Sequence, residues 1–150
     1  MMRIEDVIKQ KAFKDEYNKV IVNMLYTNSW IISEQTRLIK PYGISQEQYN
    51  VLRILRGQAG KPITISSIQE RMLNKMSNAS RLVEKLKQKD MVTRAECPND
   101  RRQVDVLITQ KGLGLLHELD EQIINHNRAI IQLTEDETRL LNDLLDKLRG

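Results

Sequence analysis

A mainly α-helical chain carrying one small β-hairpin is predicted by three observations. Apolar residues recur at helical spacing along most of the 150 residues. The boxes Ser45-Gln-Glu-Gln48 and Thr134-Glu-Asp-Glu137 mark two helix starts. In one stretch the period switches to two, most clearly at Val104, Val106 and Ile108. The length predicts a single domain. Apolar content of 40% and charged content of 29% argue against wholesale disorder.

The first helix is predicted over 5–40, because Pro and Gly are missing until Pro41 and Gly43. Its apolar positions Val20, Ile21, Met24, Leu25, Ile31, Ile32, Leu38 and Ile39 cover a broad arc. A helix apolar over such an arc requires burial on several sides, as against a second subunit. The Ser45 box, with Ile44 and Tyr49 as a hydrophobic staple, opens a helix through Arg56 with Val51, Leu52 and Leu55 inward. Gly57, Gly60 and Pro62 break it.

A short helix follows from Thr64 to about Met72, with Thr64 as N-cap and Ile65, Ile68 and Met72 apolar. After a brief turn at Leu73-Asn74, another runs to about Lys89. Its stripe is Ala79, Leu82, Val83 and Leu86, and its opposite face carries Ser77, Asn78, Arg81 and Lys85. Two short helices joined by three or four residues form a helix-turn-helix. The segments 91–97 and 103–109 then read as strands, joined by the basic, turn-rich tip Pro98-Asn-Asp-Arg-Arg102. Thr109 caps a helix with Leu113, Leu116, Leu119 and Ile123 inward. The last helix carries Leu140, Leu141, Leu144, Leu145 and Leu148. This order is that of a winged helix-turn-helix with helical extensions at both ends.

Composition narrows the function. A single cysteine excludes an intrachain disulfide and a Cys-rich metal site. His117 and His126 are the only imidazoles, and their spacing does not place them on one helix face. No nucleophile–base pair or glycine-rich phosphate loop appears, so no enzyme, metal or cofactor is expected. No apolar run reaches membrane-spanning length, and charge interrupts the apolar residues of the N-terminus, so neither a span nor a signal peptide is expected and the default location is the cytoplasm.

The net charge of +4 is unevenly spread. Residues 1–60 carry +3, residues 61–111 carry +5, and residues 112–150 carry −4. The basic middle third suits a polyanionic partner, and the competing reading is a solvated charged face.

Three segments carry a family resemblance: Pro62-Ile-Thr-Ile-Ser-Ser-Ile-Gln-Glu-Arg-Met72, Ser77-Asn-Ala-Ser-Arg-Leu-Val-Glu-Lys-Leu86 and Asp100-Arg-Arg-Gln-Val-Asp-Val-Leu-Ile-Thr109. In this order and spacing the chain resembles the MarR family of bacterial transcriptional regulators over nearly its whole length. The resemblance implies a single domain over 1–150. Its DNA-binding lobe would span 45–110, and 1–40 and 111–150 would be dimerisation helices. It also implies a homodimeric, ligand-responsive repressor of a pseudo-palindromic double-stranded operator. The alternative is a winged-helix protein-interaction module without DNA binding. Basic character on the reading face (Arg81, Lys85, Arg101, Arg102) discriminates against it.

A major groove about 12 Å wide admits one helix, and residues near the start of that helix reach base edges. Ser77, Asn78 and Arg81 are therefore expected at or near bases, with Ser80 beside them, and Lys75 and Lys85 at phosphates. By the family's Asp-x-Arg pattern, Arg102 enters the minor groove and Asp100 holds its guanidinium, leaving Arg101 at most a phosphate contact. One departure stands just before the first wing strand, where the family commonly has Gly and this chain has Asp90, a tolerable left-handed residue.

Family members often bind small aromatic or anionic effectors between the pairing helices and the lobe. Tyr26, Trp30, Arg37, Tyr42 and Tyr49 fall in the corresponding segments, with plain core packing as the competing reading. Cys97 lies near the basic tip, where arginines could lower its pKa, though a bystander thiol is the simpler reading.

Overall fold

Side-chain caps fix where the helices begin. The computed structural model describes residues 2–97 and 100–150, and the side chains of residues 97–103 lie outside that description. Helix α1 is one turn, Ile4–Val7, and α2 runs Glu16–Ile39 into a 3-10 turn at Lys40–Tyr42. Helix α3 (Gln46–Arg56) opens on the predicted box: Ser45 Oγ accepts from Gln48 N, and Gln48 Oε1 accepts from Ser45 N. Thr64 caps α4 (Ile65–Arg71), and Asn78 caps α5 (Ala79–Gln88). Thr109 caps α6 (Gln110–Ile130), and Thr134 with Glu137 boxes the start of α7 (Glu135–Arg149). Each such cap satisfies an amide that the first helical turn leaves unpaired.

The sheet is antiparallel in the order β1-β3-β2, with β1 at Ile63–Thr64, β2 at Val92–Cys97 and β3 at Asp100–Ile108. Val92 lies opposite Ile108 and Arg94 opposite Val106, with an irregularity between Glu96 and Cys97. The two-residue β1 pairs Ile63 with Val106. It ties the entry of the helix-turn-helix to the hairpin.

One core holds these pieces together. Val51, Leu52 and Leu55 of α3 and Ile68 of α4 are buried with Val83 and Leu86 of α5. Val92 and Val106 of the hairpin and Leu116 and Leu119 of α6 complete it. Asp90 takes the left-handed conformation expected of it, with φ +59°. That turn lets Thr109 Oγ1 donate to the Asp90 carbonyl at 2.7 Å, while Thr109 N donates to the Met91 carbonyl at 3.0 Å. Gly112 makes the close approach possible. A Cβ there would stand 2.5 Å from the Met91 carbonyl oxygen. Across the lobe, Arg56 forks onto Asp120 at 2.7 and 2.9 Å, joining α3 to α6. The Arg56 hydrogen bond holds the Asp120 carboxyl below its ordinary pKa, and Asp120 in turn raises that of Arg56.

Four expectations need correction. The helix predicted over 5–40 is interrupted: Lys9 turns left-handed at φ +55°, and Asp15 caps a new start by accepting from Asn18 N at 2.7 Å. The connection between α4 and α5 spans Met72–Asn78, not a brief turn, so Ser77 and Asn78 precede the helix. Asp100, Arg101 and Arg102 begin β3 rather than forming the turn. Strand β1 was not foreseen, because two residues are too few for a period to show.

Candidate nucleic-acid interface

Helix α5 buries Ala79, Val83 and Leu86 and half-buries Leu82, which turns Ser80, Arg81 and Lys85 outward. This follows from the stripe: with one face fixed in the core, residues about half a turn away must face solvent. Asn78 is exposed at the helix start, and its Oδ1 accepts from Arg81 N at 3.0 Å. Its amide NH2 has no hydrogen-bond partner among the described residues. Ser77 is placed differently from its neighbours. It is half-buried, and its Oγ is enclosed without a hydrogen-bond partner among the described residues. Lys75 is exposed, but its Nζ donates to the Glu70 carbonyl at 2.6 Å. That bond adds a positive charge at the C-terminal end of α4, where the helix dipole favours one.

A cleft runs between α5 and β2, lined by Asn78, Ser80, Arg81, Lys85 and Arg94 among others. Arg94 Nη1 donates to Glu84 Oε2 at 2.5 Å, so α5 and the hairpin are tied by an ion pair. Sequence reasoning assigned neither residue to this surface. They lie on elements of different type, and only the folded register of β2 beside α5 brings them together. The loop before α5 is also pinned. Gln69 Oε1 accepts from Ala79 N at 3.0 Å, Gln69 Nε2 donates to the Lys75 carbonyl at 3.2 Å, and Asn50 Oδ1 accepts from Leu73 N at 2.9 Å.

The wing presents Asp100, Arg101 and Arg102 as the first residues of β3, opposite the end of β2. The fork expected between Asp100 and Arg102 concerns side chains outside the described residues, and so does the environment of Cys97. The surface that is described joins exposed donors on α5 to a strand-borne guanidinium. Arg81 and Lys85 are its exposed cations.

The five candidate effector residues fall into two groups. Tyr26, Trp30 and Arg37 share one face of α2; Tyr26 and Trp30 are 44% and 38% exposed, and Arg37 pairs with Glu34 at 2.9 Å. Tyr42 and Tyr49 are half-buried against the core. The Tyr42 hydroxyl accepts from Gln122 Nε2 at 2.5 Å, and the Tyr49 hydroxyl accepts from Arg53, whose guanidinium lies 5.8 Å from the ring centre. Among the described contacts none joins the two groups. Among the described residues no cluster of His, Cys, Asp or Glu is placed to hold a metal, and no helix is long and apolar enough to cross a membrane.

Residues 44–104, from the staple residue Ile44 through the wing, match the MarR family model. The chain is 27% identical over 111 residues to the HTH-type transcriptional regulator MhqR of Bacillus subtilis (strain 168), covering 73% of this chain and 75% of that protein. It is 26% identical over 121 residues to the transcriptional repressor MprA of Escherichia coli (strain K12), covering 77% and 69%. Its fold superposes with a TM-score of 0.79 on a MarR-like transcription regulator from Bacillus cereus ATCC 10987. That pair is 25% identical, with 89% and 96% of the two chains covered. The capped helix-turn-helix and the three-stranded wing agree with these likenesses: residues 44–104 match the MarR family model, and the fold is similar to that of a MarR-like transcription regulator.

Proposed function

We infer that this protein is a homodimeric repressor that binds a pseudo-palindromic double-stranded operator and releases it on binding a small aromatic or anionic effector. The observation that carries the reading is the outward face of α5, where Ser80, Arg81 and Lys85 stand exposed and line one cleft with Arg94 of β2. Asn78 and Arg81 at the helix start meet base edges, Lys85 meets phosphate, and Lys75 reaches phosphate on leaving the Glu70 carbonyl. Ser77 supports the loop in this reading, since its hydroxyl faces inward. Arg102 enters the minor groove with Asp100 holding it, and Arg101 lies near the backbone. The role is one of binding and not of catalysis, and it is exercised on chromosomal DNA in the cytoplasm.

The division of labour follows the burial. The lobe over 45–110 reads DNA, and the helices over 1–40 and 111–150 pair two chains. Helix α7 has no buried residue in the single chain. An isolated helix of this length is marginal in water, so its apolar stripe requires a cover. Tyr26, Trp30, Arg37, Tyr42 and Tyr49 border the junction between the two parts and offer aromatic faces and a cation to an effector. An effector that favours one half-site spacing shifts the dimer away from the operator.

Selection from random double-stranded DNA tests the reading. It should enrich an inverted repeat with half-sites about 10 base pairs apart, lost steeply with added salt. No enriched sequence would remove the DNA-binding reading. Trp30 is the only tryptophan, so its fluorescence reports the effector site directly. Benzoate should quench it saturably and lower operator affinity in parallel; quenching without release would separate the pocket from regulation.

A further inference from the structure

The connection between α4 and α5 displays two large apolar side chains that the single chain does not cover. Met76 is 91% exposed and Leu73 is 88% exposed. Burying such side chains is favourable, so leaving both in water forgoes a stabilisation. The backbone between them is nonetheless tightly fixed. Asn50 holds Leu73 N, Asn74 Oδ1 accepts from Met76 N at 3.0 Å, and Gln69 clamps the Lys75 carbonyl and Ala79 N. Met76 also borders a groove shared with Ser66, Gln69, Asn78 and Ser80. It therefore continues the surface already assigned to base edges, two residues before the cap of the recognition helix, with Lys75 beside it to meet a phosphate.

We propose that Met76 packs against the C5-methyl group of a thymine in the major groove and sets a sequence preference there. The proposal rests on the DNA-binding reading above. The chemistry is specific: the thymine methyl is the apolar feature of the major-groove edge, and an apolar side chain is its complement. Methionine suits the role, because its unbranched thioether adapts to an irregular surface. A held backbone lets this contact form without ordering the loop on binding, which preserves its affinity. Gln69 acts as a positioning residue, through the Lys75 carbonyl and Ala79 N.

The test is a thymine-to-uracil scan of the selected operator, which removes one methyl group and leaves the hydrogen-bonding edge intact. Full-length protein should lose about fourfold in affinity at one thymine of each half-site, the scale of one buried methyl group. Met76→Ala should bind thymine and uracil alike at that position, and Met76→Leu should keep the preference. Equal binding of thymine and uracil at every position, or a full thymine preference surviving in Met76→Ala, would overturn the proposal while leaving DNA binding intact. Failure of the wild-type chain to select any sequence would instead overturn both. Arg81→Ala serves as the reference, weakening thymine and uracil operators by the same factor.

Discussion

Between Ile44 and Ile108 the large apolar side chains, Leu73 and Met76 apart, close on one another. In α2, the second half of α6 and α7 they do not. Leu52, Leu55, Ile68, Val83, Leu86 and Val106 are all essentially inaccessible within one chain. By contrast Ile21, Leu25, Ile124, Leu140, Leu144 and Leu148 are each about half exposed or more. The two regions have similar apolar patterning and opposite outcomes. The difference teaches that the lobe is covered within one chain, whereas the terminal helices leave apolar faces open, as the proposed pairing of two chains requires. Charge separates the lobe from the C-terminal helices as well, since the lobe is basic and the C-terminal third acidic. The net charge of the whole chain conceals both.

The largest expected effect lies in the lobe. Leu52→Ala should cost about 2–5 kcal/mol, read as a lowered urea midpoint at fixed protein concentration. A shift of a few tenths would break the idea of a self-sufficient core. The matching change in the other region is Leu144→Asp. A carboxylate buried in the pairing face should raise the dimer dissociation constant about a hundredfold and leave the helical signal of the lobe in place. Sedimentation should then show the 17.5 kDa chain at micromolar concentration, and a variant that stays dimeric would remove α7 from the interface.

Function separates the regions again. Arg102→Ala on the wing should weaken specific operator binding by about 1–3 kcal/mol without altering the oligomer. An unchanged affinity in a titration would end the minor-groove assignment. The smallest effect concerns the Arg56–Asp120 fork. Each side chain is about a third exposed, at 32% and 37%, so solvent screening keeps its contribution under about 1 kcal/mol. Because the folded pKa of Asp120 is lowered, that contribution is full above the ordinary carboxylate pKa of about 4 and disappears as pH falls through the lowered value. Asp120→Asn should therefore be less stable than wild type near pH 7 and nearly equal to it in strong acid. A constant difference at every pH would assign the effect to packing instead.

These contrasts also show what was legible in the sequence. Periodicity exposed the core positions of α3, α5 and α6, and short-range capping chemistry located four helix starts at Ser45, Thr64, Thr109 and Thr134. Asp90 was readable from the resemblance, since the family commonly has Gly at that turn, and its φ of +59° agrees. The break before Asp15 was not, since charged residues such as Lys9 and Lys11 suit an exposed helix as well as a loop. The length of the α4–α5 connection was misjudged for a related reason. Asn78 reads as a helix residue by pattern, and only its bond to Arg81 N shows it to be the cap. The exposed donors of α5 followed from its stripe. Glu84 with Arg94, Gln69 with the loop and Asn50 with Leu73 are tertiary pairings, which no local period encodes. The exposure of Met76 was hidden too, because an apolar residue next to a helix ordinarily reads as core.

In the proposed function a lobe reads one half-site and the terminal helices fix the distance between two lobes, so DNA affinity should depend on half-site phasing. The direct measurement inserts about five base pairs, half a helical turn, between the half-sites of the selected operator. The second half-site then faces away from its lobe. Affinity should fall to that of a single half-site, and inserting about ten base pairs should not restore it fully, because the dimer fixes the span as well as the phase. Unchanged affinity after the half-turn insertion would contradict the rigid pairing of two DNA-reading lobes.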